Sequence, residues 1–308
     1  MLDFTTFLTQ LYVIVDDFCK GQPADQRGRG RAASLSRSEV MTLALLSRWA
    51  RFPTDRAFQR FAEKNLRTAF PTLPDRSQLN RLVRAQHASL AAFAVALAQQ
   101  LGAATATDEA VDGTGVKVRN VKRRGWGWLD GLVQIGWSNN LGWYEGFNVL
   151  VAVTPEGVIT GFGFGAANTS ERHLASTLFA ARQTSSAALP SAGRPARGPY
   201  LLDKGFSGAR PRQQWLAQAQ ADTLAPPEKN HPHPWPRVWR RLHAGLRQIV
   251  ETVNDKVQHT FRLQSERPHC LAGFQTRLAA TVALHNVCIW LNRQYGRKDL
   301  VFADLLDW

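Results

Sequence analysis

The spacing of apolar side chains predicts that the first third of the chain is helical. Near the start, apolar residues recur three and four positions apart, which is the period of an amphipathic helix. A capping box at Ser36-Arg-Ser-Glu39 and a capping Thr54 predict two more helices. A second capping box, at Asp75-Arg-Ser-Gln78, predicts a long helix that continues to about Leu97. We therefore expect residues 1–102 to form an all-helical region.

From Thr105 the period changes to that of β-strands. A first strand ends at Asp112, where Gly113 and Gly115 relieve a turn, and Thr154-Pro-Glu-Gly157 joins two later strands into a hairpin. The other predicted elements are strands at 129–137, 147–153, 158–164 and 222–225, a strand ending at Asp203, and helices at about 170–182, 211–220, 238–257 and 271–295. This order predicts an α/β fold of the ribonuclease H-like kind, a mixed sheet flanked by helices, over residues 103–308.

The charge of the chain is strongly unbalanced, with 38 lysines and arginines against 24 acids, a net charge of +14 and a pI near 10.5. Such an excess favours a polyanionic partner, nucleic acid before membrane, and a basic solvated surface without a partner is the alternative. No apolar run reaches the roughly 18 residues that span a bilayer. The three cysteines are odd in number and lack CxxC spacing, which fits a reducing compartment. We expect a soluble cytoplasmic protein that contacts no membrane and joins the nucleoid when bound to DNA.

Three acids stand where the predicted elements would bring them together: Asp112 and Asp203 at strand ends, and Glu251 on a facing helix. Converging carboxylates repel one another unless cations neutralise them. Mg²⁺ or Mn²⁺ prefers oxygen ligands, and two such ions can activate an attacking water or 3′-OH and stabilise the leaving oxygen. The three acids are therefore the candidate catalytic and metal-binding residues of a phosphodiester-cutting enzyme. Asp108 is a rival for the first acid, and an aspartate before a glycine is also an ordinary turn residue.

Basic residues cluster in several parts of the chain that could hold DNA. The helix after Pro74 displays basic side chains near its start, which favours a helix-turn-helix reader as much as a helical bundle with a charged face. The run from Lys117 to Trp128 mixes cations with aromatics, a combination that binds nucleic-acid strands or packs at a hairpin tip. The candidate DNA contacts are Arg76, Asn80, Arg81, Arg84, Lys117, Arg119, Lys122, Arg123, Arg124, Lys204, Lys229, Arg237, Arg240, Arg241, Arg247 and Lys256.

Three short motifs surround the acids: Val-Asp112-Gly, Leu-Leu-Asp203-Lys-Gly-Phe and Arg247-xxx-Glu251-Thr. Together with the ending from Ser265-Glu-Arg-Pro to His285-Asn and the helical leader, they resemble the motifs of bacterial insertion-sequence transposases of the DDE class. The resemblance covers nearly the whole chain. It implies a helical DNA-binding region, 1–102, before a catalytic domain, 103–308, and nicking of double-stranded DNA at the element's ends followed by attack of the 3′-OH on target DNA. We also expect a homodimer on DNA.

Two positions depart from the pattern of the wider superfamily, which often has a tyrosine three residues before the helix arginine and a lysine seven residues after the glutamate. Ala244 and Gln258 stand at these positions. The short stretch between Asp203 and Glu251 also leaves little room for the β insertion that some relatives carry. Two other functions remain open, an inactive transposase-derived DNA-binding regulator and a ribonuclease H-like nuclease that acts on RNA-containing substrate.

Overall fold

The computed structural model describes residues 1–23, 34–119, 121, 129, 131–183, 191, 193, 198–227, 232, 234–265 and 268–308. No helix within these ranges is both long enough and apolar enough to cross a membrane. The region up to Gln100 is helical, as predicted, apart from a short strand β1 (Leu2–Asp3) that pairs with β8 (Leu306–Asp307) near the C-terminus. Its helices are α1 (Phe4–Lys20), α2 (Arg37–Leu46), α3 (Asp55–Asn65), α4 (Arg76–Ala85) and α5 (His87–Gln100).

Side-chain caps start α2, α3 and α4 at the predicted positions. Ser36 and Glu39 form a reciprocal capping box at the start of α2. The Thr54 hydroxyl accepts a hydrogen bond from the backbone N–H of Ala57, and Asp75 accepts from the first turn of α4. Each cap satisfies backbone N–H groups that have no partner within the helix, and each contributes about 1 kcal/mol.

The single long helix predicted from Asp75 to Leu97 is instead two helices that meet at Gln86, so this prediction is wrong. Neither glycine nor proline marks the break in the sequence. Leu79 is the one buried residue of α4, whereas α5 has an extensive buried face that packs along α9 (Leu271–Gln294). The two segments pack on different partners, and the chain therefore changes direction between them.

The second part of the chain is built on a mixed sheet. Its strands are β2 (Glu109–Arg119), β3 (Gln134–Ser138), β4 (Gly142–Val153), β5 (Ile159–Ala166), β6 (Tyr200–Leu202) and β7 (Thr223–Leu224). The described strands run in the order β3-β4-β2-β6-β7, and β5 pairs with the inner half of β4 on the same edge as β3. β2 pairs with β4 antiparallel and with β6 parallel. The predicted ribonuclease H-like fold is confirmed by this arrangement.

One predicted strand begins later than expected. Apolar residues predict a strand from Leu129, but β3 starts at Gln134. Leu129 has a φ of 57°, in the left-handed region, and belongs to a turn. Its carbonyl oxygen accepts hydrogen bonds from the backbone N–H groups of Leu132 and Val133. A residue in that conformation cannot lie in an extended strand, and the apolar side chain of Leu129 is buried as part of the turn.

Helices cover both faces of the sheet. They are α6 (Glu171–Gln183), α7 (Ala209–Ala219), α8 (Arg237–Asp255) and α9. Alternating residues of β4 send Val149 and Val151 into a core shared with α5, α8 and α9, and Leu150 into a smaller core with α6 and α7. The larger core also contains residues of α1 to α4, so the helical region and the sheet share one buried interior. The boundary between residues 102 and 103 remains a prediction.

Candidate active site

Two of the predicted acids lie side by side on the two central strands. Asp203 directly follows β6, but β2 continues past Asp112 to Arg119, so the predicted strand end at Asp112 is wrong. The parallel pairing of β2 and β6 matches Val111 with Leu202, so Asp112 and Asp203 are the next residues in register. Neighbouring strands are about 4.8 Å apart, which brings these two positions together. Asp203 ends its strand and accepts a hydrogen bond from the backbone N–H of Gly205, which fixes its carboxylate against a short turn.

The third predicted acid, Glu251, is exposed on α8, which packs against β2. Asn254 and Gln258, which follow Glu251 along the chain, hold this helix on β2. The Asn254 amide donates to Oδ2 of Asp112 at 3.2 Å, and the Gln258 amide donates to the Thr114 hydroxyl. Gln258 thus occupies the place of the superfamily's lysine and serves to dock α8. The contact between Asn254 and Asp112 places the first acid on the face that α8 covers.

Arg247 links the second and third acids. Its Nε donates to Oε1 of Glu251 at 2.8 Å, as expected for residues one turn apart, and its Nη1 lies 3.8 Å from Oδ2 of Asp203. All three side chains are partly or largely exposed to solvent. The guanidinium therefore stands between two carboxylates and supplies positive charge at the end of the sheet.

A fourth acid, Glu171, lies at this end of the sheet and was missed in the sequence analysis. It is the first residue of α6, and a β-carbon at position 113 would lie only 2.5 Å from its Oε1, so the carboxylate lies against the bare backbone of Gly113. The signal in the sequence was present but ambiguous, because an acid in the first turn after the capping Thr169 or Ser170 is an ordinary feature of a helix start. Only the packing of α6 against β2 makes it part of the site.

The pKa values of two carboxyl groups at the site are raised, first by burial and then by the neighbouring carboxylates. Burial raises the pKa of Asp112 to about 6, and the charges of Asp203 and Glu251 add to this, although the Gly113 N–H and Arg247 oppose it. Burial likewise raises the pKa of Glu171 to about 7, with further contributions from Asp112 and Asp203. A cation bound beside these carboxylates would favour their ionised forms and so lower both pKa values.

The donor set at this site fits a hard divalent cation, because it consists of carboxylate oxygens. As placed, no group of three or more histidine, cysteine, aspartate or glutamate side chains within the described ranges is close enough to hold a metal ion. Asp203 and Glu251 are instead drawn to the guanidinium of Arg247. Binding of Mg²⁺ or Mn²⁺ by Asp112, Asp203 and Glu251 remains a prediction that the chemistry of these side chains supports.

Asp108, the rival for the first acid, lies away from this cluster. It precedes β2 and accepts a hydrogen bond from its neighbour Thr107. It lies four positions before Asp112, a distance of about 13 Å along an extended chain. Asp108 is also absent from the charges that shift the pKa of Asp112. The geometry therefore favours Asp112 as the first acid.

The predicted DNA contacts near the site fall into three groups. Lys204 and the first turns of α8, with Arg237, Arg240 and Arg241, are exposed. The second group is less accessible. Lys117 is partly buried on β2, and Arg119 pairs with Glu145 at 2.6 Å. The Lys256 ammonium lies 4.8 Å from the centre of the Phe302 ring, and burial lowers the pKa of Lys256. The remaining residues, Lys122, Arg123, Arg124 and Lys229, lie outside the described residues.

The predicted DNA contacts of the helical region, Arg76, Asn80, Arg81 and Arg84, lie together on α4. They line a groove of about 970 Å³ that α4 forms with α2, α3 and the first turns of α9. The helix thus presents its basic face to a concave surface. The prediction that it reads bases as part of a helix-turn-helix remains open.

The fold and the acidic site together define a ribonuclease H-like enzyme of the nucleic-acid-cleaving class, with acids on the two central strands and a facing helix. The family model described as the transposase DDE domain matches residues 108–287, which is more than half of the chain. The chain therefore belongs to the DDE transposases, of insertion-sequence type, as its motifs predict. Comparison with curated proteins and with solved structures gave no match. DNA as partner and a divalent metal are expected for this family.

Proposed function

We propose that this chain is an active transposase that cleaves DNA strands at the ends of an insertion sequence and joins the freed 3′-OH to target DNA. The observation that supports the proposal is the contact of Arg247 with Asp203 and Glu251 beside Asp112, where α8 packs over β2 and β6. An inactive descendant has no need to retain three acids in this arrangement. The excess of positive charge, +14 over the whole chain, supports DNA as the substrate.

The three acids would hold one or two Mg²⁺ or Mn²⁺ ions, which supply activation of an attacking oxygen and stabilisation of a leaving one. The residues of the chain orient this site. Asn254 holds the Asp112 carboxylate, and the Gly205 N–H holds that of Asp203, so two of the three acids are fixed by the fold. Glu251 is exposed, and its side chain pairs with the guanidinium of Arg247 one turn earlier, so it can turn toward a cation.

Arg247 is placed to contact a DNA phosphate. A cation held by Asp203 and Glu251 would neutralise their charge and leave the guanidinium able to bind another anion, and its fork of donors suits phosphate oxygens. The exposed Lys204, Arg237, Arg240 and Arg241 extend positive charge away from the acids on the side of α8. We infer that these residues hold double-stranded DNA over the site, in a complex that contains two copies of the chain.

Cleavage of a labelled DNA fragment that carries one element end tests the proposal. Asp203→Asn keeps the shape of the side chain and removes the charge that would hold a cation, so we expect cleavage in Mg²⁺ to fall to background while DNA binding is retained. Asp222→Asn is the matched control, because Asp222 is an exposed acid whose ion pair with Arg212 lies on the surface. The Asp222→Asn variant should cleave the DNA fragment at the same rate as the unaltered protein.

The alternatives predict other results in the same assay. A DNA-binding regulator would bind the fragment and leave it uncut with every variant. A nuclease for RNA-containing substrate would cut an RNA–DNA hybrid of the same sequence and spare the duplex DNA. Cleavage by Asp203→Asn at the unaltered rate would show that this acid has a structural role.

A further inference from the structure

A groove of about 970 Å³ lies in the helical region, between α2, α3, α4 and the start of α9. Among the described residues that line it, six are arginines and one is an acid, Asp55. The arginines are Arg48, Arg56, Arg76, Arg81, Arg84 and Arg277. A concave surface with this imbalance focuses a positive potential and attracts a polyanion.

The single acid of the groove is already neutralised from within. Asp55 accepts from Arg277 at 2.9 Å and from Arg48 at 3.3 Å. Burial opposes ionisation of Asp55, but the two guanidinium charges outweigh it and lower its pKa. Asp55, Arg48 and Arg277 together carry one net positive charge. Because both guanidinium groups already pair with Asp55, its carboxylate does not neutralise the arginines of α3 and α4.

The arginines at the rim are available to a ligand. Arg56, Arg76 and Arg81 are exposed, and within the described part of the chain the guanidinium groups of Arg56 and Arg76 have no hydrogen-bond acceptor. Arg84 is held over the groove by the Asn80 carbonyl and by Sγ of Cys270, at 3.1 and 3.6 Å. The groove therefore has a positive rim before any ligand binds.

The floor of the groove contains apolar side chains among polar ones; Leu43, Phe58, Leu79 and Ala280 are the buried apolar residues that line it. The arginines suit phosphates, which gain nothing from apolar side chains. The faces of nucleic-acid bases are stabilised by contact with such side chains. A volume of about 970 Å³ leaves room for roughly two or three nucleotides. A helix that reads duplex DNA must protrude into the major groove, and the basic face of α4 instead looks into a concavity.

We propose that this groove binds a short stretch of single-stranded DNA, with phosphates on Arg56, Arg76, Arg81 and Arg84 and bases against the apolar floor. It is a second nucleic-acid site, separate in sequence and structure from the acids of the sheet. The observations that carry it are the six arginines, the neutralised Asp55 and the concave shape. The proposal therefore stands independently of the proposed cleavage reaction.

Fluorescence anisotropy with the full-length protein and a labelled twelve-nucleotide oligo(dT) tests the affinity, and a duplex of the same length serves for comparison. For the double variant Arg76→Ala/Arg81→Ala we expect at least about a tenfold loss of oligo(dT) affinity and a salt slope flatter by about 1.4, two contacts at about 0.7 each. Duplex binding should change much less. Arg60→Ala/Arg67→Ala is the matched control, because both arginines are exposed in the same region and neither lines the groove.

Alkylation of cysteines locates the oligonucleotide without any substitution. Cys270 is a half-buried thiol that lines the groove, whereas Cys19 is a half-buried thiol beside Met41 outside it. Saturating oligo(dT) should slow iodoacetamide labelling of Cys270 at least about fivefold and leave Cys19 unchanged, as measured by mass spectrometry. Equal losses in the groove and control variants, equal losses on single strand and duplex, or unprotected Cys270 would each overturn the proposal. None of these readouts requires strand cleavage.

Discussion

The buried ion pair between Arg182 and Glu109 offers the sharpest test of how the fold supports the site. Both side chains are about 1% exposed, and Nη1 of Arg182 donates to Oε2 of Glu109 at 2.6 Å. The guanidinium also donates to the Tyr200 hydroxyl at 3.1 Å and to the Thr160 hydroxyl at 3.0 Å. One side chain of α6 thus ties together β2, β5 and β6. Two of these strands lead to Asp112 and Asp203.

Arg182→Met replaces the guanidinium with an apolar chain and leaves the Glu109 carboxylate buried without its cation. Removing one partner of a buried pair costs about 3–5 kcal/mol of unfolding free energy, because the remaining charge keeps its desolvation penalty. In Glu109→Met/Arg182→Met no charge remains buried, and such replacements are neutral or stabilising. Thr160 retains its hydrogen bond to the Ala152 carbonyl in both variants. We therefore expect the double variant to lie within about 1 kcal/mol of the unaltered protein, or above it.

Urea unfolding followed by circular dichroism measures these differences, with the slope compared between variants to establish that the transition is the same. Arg212→Met is the control, because the Arg212–Asp222 pair is more than half exposed on both sides and contributes at most about 0.5 kcal/mol. The reasoning would be refuted by a loss below about 1 kcal/mol for Arg182→Met, or by a double variant as unstable as the single one.

Two further predictions concern the site and the pH dependence of stability. Arg247→Ala should cost only about 0.3–0.5 kcal/mol of unfolding free energy, because the ion pairs of Arg247 are exposed. The same substitution should strongly reduce strand cleavage. Cleavage at the unaltered rate would mean that Arg247 only forms these ion pairs. Burial lowers the pKa of His285 to about 4, and Nε2 of this neutral ring pairs with the Gly157 carbonyl. The unfolded chain takes up this proton first, so stability should fall by up to about 3 kcal/mol as pH drops from about 6.5 to 4. Urea titrations over that range should show a flatter profile for His285→Gln, and parallel profiles would contradict the assignment.

Much of the fold follows from patterns that act over a few residues. The caps at Ser36, Thr54 and Asp75 begin helices where they were predicted, because a side-chain oxygen and the N–H groups it satisfies are two or three residues apart. The change from helical to strand period after Thr105 marks the start of the sheet for the same local reason. The order of the elements, the acids on them and the motifs around the acids were therefore sufficient to predict the ribonuclease H-like fold and the DDE family.

The wrong predictions concern features of the backbone that are determined by contacts between residues distant in the sequence. The break at Gln86 has no local signal, and it arises because α5 follows α9 while α4 borders the groove. Leu129 is apolar and buried, as a strand residue would be, but its burial comes from a turn. Hydrophobicity reports that a residue is buried and leaves open which backbone conformation buries it.

The amino-acid sequence by itself determined most of the elements and the candidate acids Asp112, Asp203 and Glu251, because periodicity, capping and acid placement are local. Only the tertiary structure decided how these residues combine. Glu171 joined the acids through the approach of α6 to Gly113, and Arg247 reached Asp203 as well as its helical neighbour Glu251. The arginines of α4 became the rim of a groove because α9, almost two hundred residues later, closes its far side. Contacts of such sequence separation depend on the packing of whole elements, and no short pattern encodes them.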